Sequence, residues 1–446
     1  MKQKKINIVL RIPKVFYQAM MNDLRRPHPF ASERVGFFST GLSQSSKNDK
    51  IVTITGYHTV ADSDYINDPL VGAKISSNSI REAMQRIIST GKGCLHVHLH
   101  NHTGQPSPSY TDLKSLSELS KAFHNADPAT ASGYIIFSYN SSFCSLNTEV
   151  EYFPIEVSQA TVVGYPLLAL LSKSKTPPVL NEIFDRQSFL GKNSQTLLIT
   201  IKIGIVGLGG GGSHIAQQLA HVGIGHFLIF DADHIEVTNH NRLIGGWFID
   251  ISAKLKKTII AKRLIKKINP KTKVEIFSTR WQEYPEELKK CDIVLGCVDS
   301  YQEREQLESA CRRVLIPFID IGMDVHKIND LGNSISGQVI LSMPGSPCMR
   351  CMQFITEEKL SEEAKRYGAA GGKPQVVWPN GVLASTAVGI AVDMITGWTN
   401  SKDKSVYLSY DGDRGHLEEN PRIAFCPEEC THYKLENTGD VVFKKL

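Results

Sequence analysis

Lys202-Ile-Gly-Ile-Val-Gly-Leu-Gly-Gly-Gly-Gly-Ser213 is the stretch on which the fold of this chain turns. Its first half is apolar and β-branched, as a buried parallel strand requires. Its second half is a run of glycines that opens a helical pattern from about Ser213. A strand that turns through glycine into a helix aims unpaired backbone amides at one spot, and glycine leaves room there for a phosphate. By itself such a loop is shared with dinucleotide-binding dehydrogenases.

Outward from the loop, strand-like runs at 200–206, 226–230, 274–279 and 293–297 alternate with helical patterns that include 254–268. Alternation of this kind predicts a Rossmann-like, doubly wound α/β unit with a mostly parallel sheet covered on both faces. Ligands of such sheets bind at the carboxyl ends of the strands, so the residues that follow each strand carry the information. After the second strand come Asp231-Ala-Asp233 and then Asn239-His-Asn-Arg242. Asp231 suits a ribose hydroxyl, and Arg242 is a fixed cation that suits a triphosphate better than a nicotinamide. After the last strand come Asp299 and Arg304, a carboxylate for a magnesium ion beside phosphates and a second cation. Lys257 is placed to reach the phosphates, with Lys254, Lys256 and Lys262 competing for that role.

These motifs, from Ile205 to Ser213, Phe230 to Asp233, Asn239 to Arg242, Asn269-Pro270 and Val298 to Ser300, resemble in order and spacing the ThiF/MoeB family and the adenylation domains of ubiquitin-activating enzymes. The resemblance covers about 181–433. It implies that Gly207, Gly209, Gly210 and Gly212 cradle ATP, that Asp231 binds ribose with Asp233 beside it, and that Asn239, Arg242 and Lys257 contact phosphates. Asp299 then lies at Mg2+, with Arg304 nearby. Arg186, in Phe184-Asp-Arg-Gln-Ser-Phe-Leu190, looks like the family's arginine that reaches into a partner subunit, which implies a homodimer. The implied reaction is adenylation of a carboxylate, typically the carboxyl-terminal glycine of a ubiquitin-like protein, with a conjugating enzyme as a further partner.

Two cysteine pairs, Cys348/Cys351 and Cys426/Cys430, supply four thiolates in two short loops, the set of a structural tetrahedral zinc. The family carries such a zinc at this place. Thioester-forming members usually also carry a cysteine between the first pair and the Pro379-Asn-Gly-Val-Leu383 segment, and from Met352 to Leu383 this chain has none. Either no covalent intermediate forms on this chain, or Ser361 or another hydroxyl takes the thiol's place.

Residues 1–157 read as a separate α+β domain, with strand-like runs at 50–54 and 133–138 and helical patterns at 79–88 and 113–123. A connector at 158–180, broken by Pro177-Pro178, leads into a second domain over 181–446. The first domain contains Leu95-His-Val-His-Leu-His-Asn-His102, in which alternation puts four histidines on one strand face, followed by Pro108-Ser-Tyr-Thr-Asp112 at a helix start. Two histidines and an aspartate leave a zinc position open for water, as catalytic zinc requires. The pattern resembles the JAMM/MPN metallopeptidases. By that resemblance His98, His100 and Asp112 are ligands of a second Zn2+, Glu33 is the general base and Ser109 stabilises the oxyanion. His96/His98 and His100/His102 are alternative registers for the pair.

Hydrophobic residues at 41% and charged residues at 21% are ordinary values, and no apolar stretch approaches the roughly 20 residues of a membrane helix. A formal charge of +5, spread without a basic stripe, disfavours nucleic acid as a partner. The basic amino terminus has no cleavage-site pattern, and nine cysteines in a chain this long with two metal-like pairs suit a reducing compartment, so the expected location is the cytoplasm. Three functions follow: an activating enzyme fused to a peptidase that trims or deconjugates the same tail, a sulfur-carrier adenylyltransferase for cofactor synthesis, and a non-catalytic scaffold for a ubiquitin-like protein.

Overall fold

In a computed structural model of the chain, residues 6–46, 48–172, 182–328, 332–365, 374–401 and 405–440 are described. They form two sheets, each with its own core. The glycine-rich loop lies in the second. In spatial order its strands are Lys273–Phe277, His226–Phe230, Lys202–Val206, Ile293–Gly296, Phe318–Lys327, Asn333–Ser342, Val406–Asp411 and His416–Glu419. The first five run parallel and the last three are antiparallel. The chain order reverses direction at Lys202–Val206, which has the second strand on one side and the fourth on the other. A crevice forms at such a switch point, beyond the carboxyl ends of the strands. Ile203, Ile205, Phe227, Ile229 and Leu295 are fully buried against the helices Gly210–Val222 and Val377–Thr396, where Leu383, Ala384, Ala387 and Ala391 keep the approach close.

The first sheet is mixed and has nine strands, in the spatial order Ile155–Glu156, Ser142–Asn147, Ser132–Phe137, Gly93–Leu99, Val35–Gln44, Asp49–Thr59, Asn7–Pro13, Gln159–Val163 and Leu168–Ser172. One face packs Met20, Met21 and Leu24 of the helix Lys14–Leu24. The other packs Ala83 and Ile87 of Ser77–Thr90 and Phe123 of Tyr110–Ala126.

Several boundaries differ from the expectation. Residues Ser194–Thr200 are helix, so the strand begins at Lys202 rather than Thr200. The lysine-rich helix spans Lys257–Ile268; Lys254 has φ +46°, which ends the preceding turn and leaves Lys254 and Lys256 ahead of the helix. Within the expected connector 158–180, Gln159–Val163 and Leu168–Ser172 are strands of the first sheet, because Ala160 and Val162 alternate into its core. Pro177 and Pro178 fall outside the described residues.

The two sheets are joined by polar contacts. The guanidinium of Arg11, 3% exposed, donates to the carbonyls of Val314 at 2.7 Å, Lys289 at 3.0 Å and Cys291 at 2.8 Å. A carboxyl-terminal segment crosses back onto the first sheet: Thr438 Oγ1 donates to Thr53 Oγ1 at 3.2 Å, and Asp440 N to Leu42 O at 3.0 Å.

Candidate functional site

At the switch point of the second sheet lies a cavity of about 590 Å3 lined by Gly207, Gly209, Gly210, Gly211, Asp231, Asp233, Arg242, Lys257 and Asp299, among others. That size is ordinary for a nucleotide-sized ligand. Gly207 has φ +87°, and a Cβ on it would meet the carbonyl of Cys297. A Cβ on Gly212 would overlap the carbonyl oxygen of Gly207, whereas at Gly209 nothing lies within 4 Å. The loop is therefore tight at Gly207 and Gly212 and open to the cavity at Gly209. Gly212 itself belongs to the tight side and is not part of the lining.

Asp231 closes the base of the loop: Oδ2 accepts from Leu208 N at 2.6 Å and Oδ1 from Asp233 N at 2.8 Å. Burial raises its pKa, with Lys257 opposing. Lys257, nearly buried, donates from Nζ to Asp233 Oδ2 at 2.8 Å. Of the lysine run it alone lines the cavity; Lys256 turns back to the carbonyl of Ala232 at 2.6 Å. Arg242 donates to Thr238 O and to Asn241 Oδ1, and its Nε is buried without a partner, an unmet donor beside a cavity. The open loop, the lysine and this guanidinium together fit an ATP triphosphate.

Two expected contacts lie elsewhere. Asn239 is outside the lining; its Oδ1 accepts from Glu236 N at 3.2 Å and stabilises the turn that presents Arg242. Arg304 lies beneath the floor, where its Nε faces the fully buried Asp320 at 3.1 Å. Burial pushes the Asp320 carboxyl up to about 6 against the pull of Arg304. The pairing follows from position: Arg304 sits in the first turns of the helix Tyr301–Arg313 and points inward, where an unpaired charge would be costly. Arg186 is exposed on the 3-10 segment Glu182–Leu190 and does not line this cavity. Ser361, on the helix Glu357–Lys365, does not line it either.

Residues that the sequence did not single out also reach the cavity. Arg280 and Gln282 follow the edge strand, Asn380 donates to the carbonyl of Val376, and Gln375 donates to Asp299 Oδ1 at 3.2 Å. Asn380 stands in the Pro379-Asn-Gly segment already noted; Gln375 has no local signature. Cys297 lines the cavity as well, but burial raises its thiol far above the usual range, which keeps it protonated.

The cysteine loops meet, with one change of ligand. Cys348 Sγ lies 3.6 Å from Cys351 Sγ, Cys351 Sγ lies 3.9 Å from Cys430 Sγ, and His432 Nδ1 lies 3.5 and 3.4 Å from the Sγ atoms of Cys348 and Cys351. A tetrahedron with Zn–S bonds of about 2.3 Å has S···S edges of about 3.8 Å, so these four atoms fit zinc. Cys426 is replaced in the set by His432: its Sγ instead approaches the carbonyls of Cys351 and Arg422 at 3.6 Å. The odd spacing of the second pair is resolved by Cys430-Thr-His432, a closer i, i+2 pair.

In the first sheet the strand ends at Leu99, yet the histidine rings continue in a row, mutually tilted, with centroids 5.7, 5.0 and 5.9 Å apart from His96 to His102. His98 Nε2 and His100 Nε2 are 3.1 Å apart, and the Asp112 carboxylate lies 3.7 and 3.8 Å from them. Glu33 comes within 4.8 Å of both imidazoles. Tetrahedral N···N edges for Zn–N bonds of about 2.0–2.1 Å are about 3.3 Å, so the nitrogens of His98 and His100 have the spacing of two zinc ligands with the carboxylates of Asp112 and Glu33 both close by, whereas His96 is buried against Phe37 and His102 is exposed. Burial lowers the pKa of His98 to about 4 and lowers that of His100, so both are neutral and ligand-ready near pH 7. Burial and the charge of Asp112 raise the pKa of Glu33, in the direction a general base requires. Ser109 is committed to the helix start: its Oγ donates to Asp112 Oδ2 at 2.7 Å and accepts from Asp112 N at 3.1 Å.

Residues 184–431 match the ThiF family. The ubiquitin-like modifier-activating enzyme 5 of Gallus gallus is 29% identical over 266 residues, covering 54% of this chain and 63% of that protein. Its Mus musculus counterpart is 32% identical over 186 residues, covering 38% and 44%. The chain thus spans less than two thirds of the length of these relatives. Among solved structures, Escherichia coli MccB with ATP is 22% identical with a TM-score of 0.45, over 56% of this chain and 75% of that one. PaaA is 21% identical with the same score, over 57% and 87%.

Proposed function

We propose that this chain, which belongs to the ThiF family, uses ATP to adenylate the carboxyl-terminal glycine of a ubiquitin-like protein. One observation carries the reading: the glycine loop, Asp231, Arg242, Lys257 and Asp299 line a single cavity, and the buried Arg242 Nε there has no partner. A carboxylate oxygen of the tail attacks the α-phosphorus, the bond from that phosphorus to the bridging oxygen breaks, and pyrophosphate leaves with its electron pair. An acyl-adenylate is the product. The chain's part is to hold the nucleotide and offset charge: Asp231 on ribose, loop amides with Arg242 and Lys257 on phosphates. Asp299 would hold Mg2+, which offsets phosphate charge when bound. Arg186, exposed and outside its own cavity, serves the partner site of a homodimer, and a nucleophile of a cytoplasmic conjugating enzyme attacks the acyl carbon of the adenylate, so that the bond to AMP breaks and AMP leaves. ATP–pyrophosphate exchange stimulated by a ubiquitin-like protein is the expected result; no exchange with any such protein refutes the reading.

The first sheet and the helices packed on it form, in this reading, a JAMM/MPN-like peptidase domain that cuts at the same tail. What supports it is the convergence of His98, His100, Asp112 and Glu33. His98, His100 and Asp112 would hold zinc, which makes water nucleophilic near neutral pH when bound. Glu33 takes the proton of the attacking water at its carboxylate and delivers it to the leaving amine. Glu33→Gln is expected to lower cleavage of an isopeptide-linked or extended ubiquitin-like substrate at least a hundredfold without loss of zinc; equal rates exclude this role.

A further inference from the structure

A chain of hydrogen bonds crosses the mouth of the nucleotide cavity. Arg242 Nη1 donates to Asn241 Oδ1 at 3.1 Å, Asn241 Nδ2 donates to the main-chain oxygen of Gln375 at 3.1 Å, and Gln375 Nε2 donates to Asp299 Oδ1 at 3.2 Å. It links three segments far apart in sequence: the loop after the strand His226–Phe230, the residues just before the helix Val377–Thr396, and the loop after Ile293–Gly296. Gln375 is half-buried and lines the cavity together with Arg242 and Asp299.

We propose that Gln375 is a positioning residue, which fixes the Asp299 carboxylate and ties it to Arg242, so that the cation-holding and phosphate-holding groups keep one separation. This rests on the reading of the cavity as a nucleotide site. A side-chain carboxylate on a loop rotates about χ2, and an amide donor on one oxygen restricts that rotation. The donor must be neutral. A lysine or arginine at 375 would offset the carboxylate's charge and weaken its hold on a divalent cation, and an acid would repel it. Glutamine supplies a donor without charge, while its backbone carbonyl, which no side-chain change removes, holds Asn241. Support of this kind around a metal-holding carboxylate typically decides about tenfold or more in affinity.

The variant Gln375→Met keeps the side chain's length and volume and removes only the amide. In the full-length protein, calorimetric titration with Mn2+–ATP is expected to show about tenfold weaker binding, and ATP without divalent cation is expected to bind as to the wild type. Asn241→Ala breaks the other link and is expected to weaken Mn2+–ATP binding to a similar degree; because the links act in series, the double variant is expected to lose about as much as either single one. A merely structural role would lower affinity for ATP with and without cation alike and lower the melting temperature, and that result overturns the proposal. So does unchanged Mn2+–ATP binding in Gln375→Met. Wild-type protein that binds Mn2+–ATP but catalyses no exchange refutes the adenylation reaction and leaves this assignment standing; wild-type protein that binds no nucleotide removes both.

Discussion

His432 and Cys426 stand six residues apart and are expected to behave in opposite ways. His432→Ala removes a ligand atom 3.4–3.5 Å from two thiols, and the zinc measured per chain by native mass spectrometry should fall by one. Cys426→Ser removes only a contact to main-chain carbonyls and should leave the zinc content unchanged. The cysteine pairs make a metal-binding site legible in the sequence, but a histidine two residues beyond a cysteine carries no such mark until the loop is folded. His96 gives a prediction of another kind. Burial lowers its pKa from 6.5 to about 3, so below pH 6.5 the unfolded chain takes up a proton that the folded one refuses. Stability of the metal-free protein is therefore expected to fall on acidification from pH 6.5 toward 3, by about 1.4 kcal/mol per pH unit from this group. In His96→Leu the slope of urea midpoints between pH 6.5 and 5 should be shallower, and an unchanged slope would rule His96 out as its source. Asp231 and Lys257 reach the cavity because one follows a strand and the other opens a helix; Arg304 does not line it, because a helix turn sends it inward to Asp320, whose buried carboxyl no local pattern reveals.

Elements were readable where their period was unbroken, and misread where a single backbone angle decided. The alternation of strand and helix from Lys202 onward gave the parallel core of the second sheet, since continuous apolar runs between helical patterns have few other packings. Residues 159–163 and 168–172 are not separable from a connector in the sequence, because two short strands at one end of a sheet, beside prolines and polar residues, carry little signal. The start of the helix Gly210–Val222 depends on the fit between Gly212 and the carbonyl of Gly207. A methyl group there meets main chain, which cannot rotate aside. Gly212→Ala is accordingly expected to displace the loop and weaken ATP binding more than tenfold, about 1.4 kcal/mol or more, by calorimetry. Gly209→Ala, which meets nothing within 4 Å, should retain a folded loop with an unchanged melting temperature.

At the scale of the molecule, the join between the sheets rests on contacts that no motif announces. Arg11 comes from the first strand of the chain, and its three acceptors are main-chain carbonyls of the other half. Burial lowers its pKa, and the nearby Asp292 counters that effect. Arg11→Met would leave these carbonyls without their donor, at a cost of about 3 kcal/mol or more. Calorimetric unfolding is expected to separate into two transitions in that variant, and a single unshifted transition would show that the join does not depend on Arg11. The same join has a consequence for how the chain is made. Thr438 bonds to Thr53, 385 residues earlier, and its carbonyl covers Gly41, where a Cβ would overlap it. At roughly 5–20 residues per second, a ribosome needs roughly 20–80 s to bring these partners into existence together. Throughout that interval the first sheet emerges with its patch at Gly41 and Thr53 uncovered, a stretch of nascent surface that a chaperone could shield and that a chain cut short before Leu435 would keep exposed.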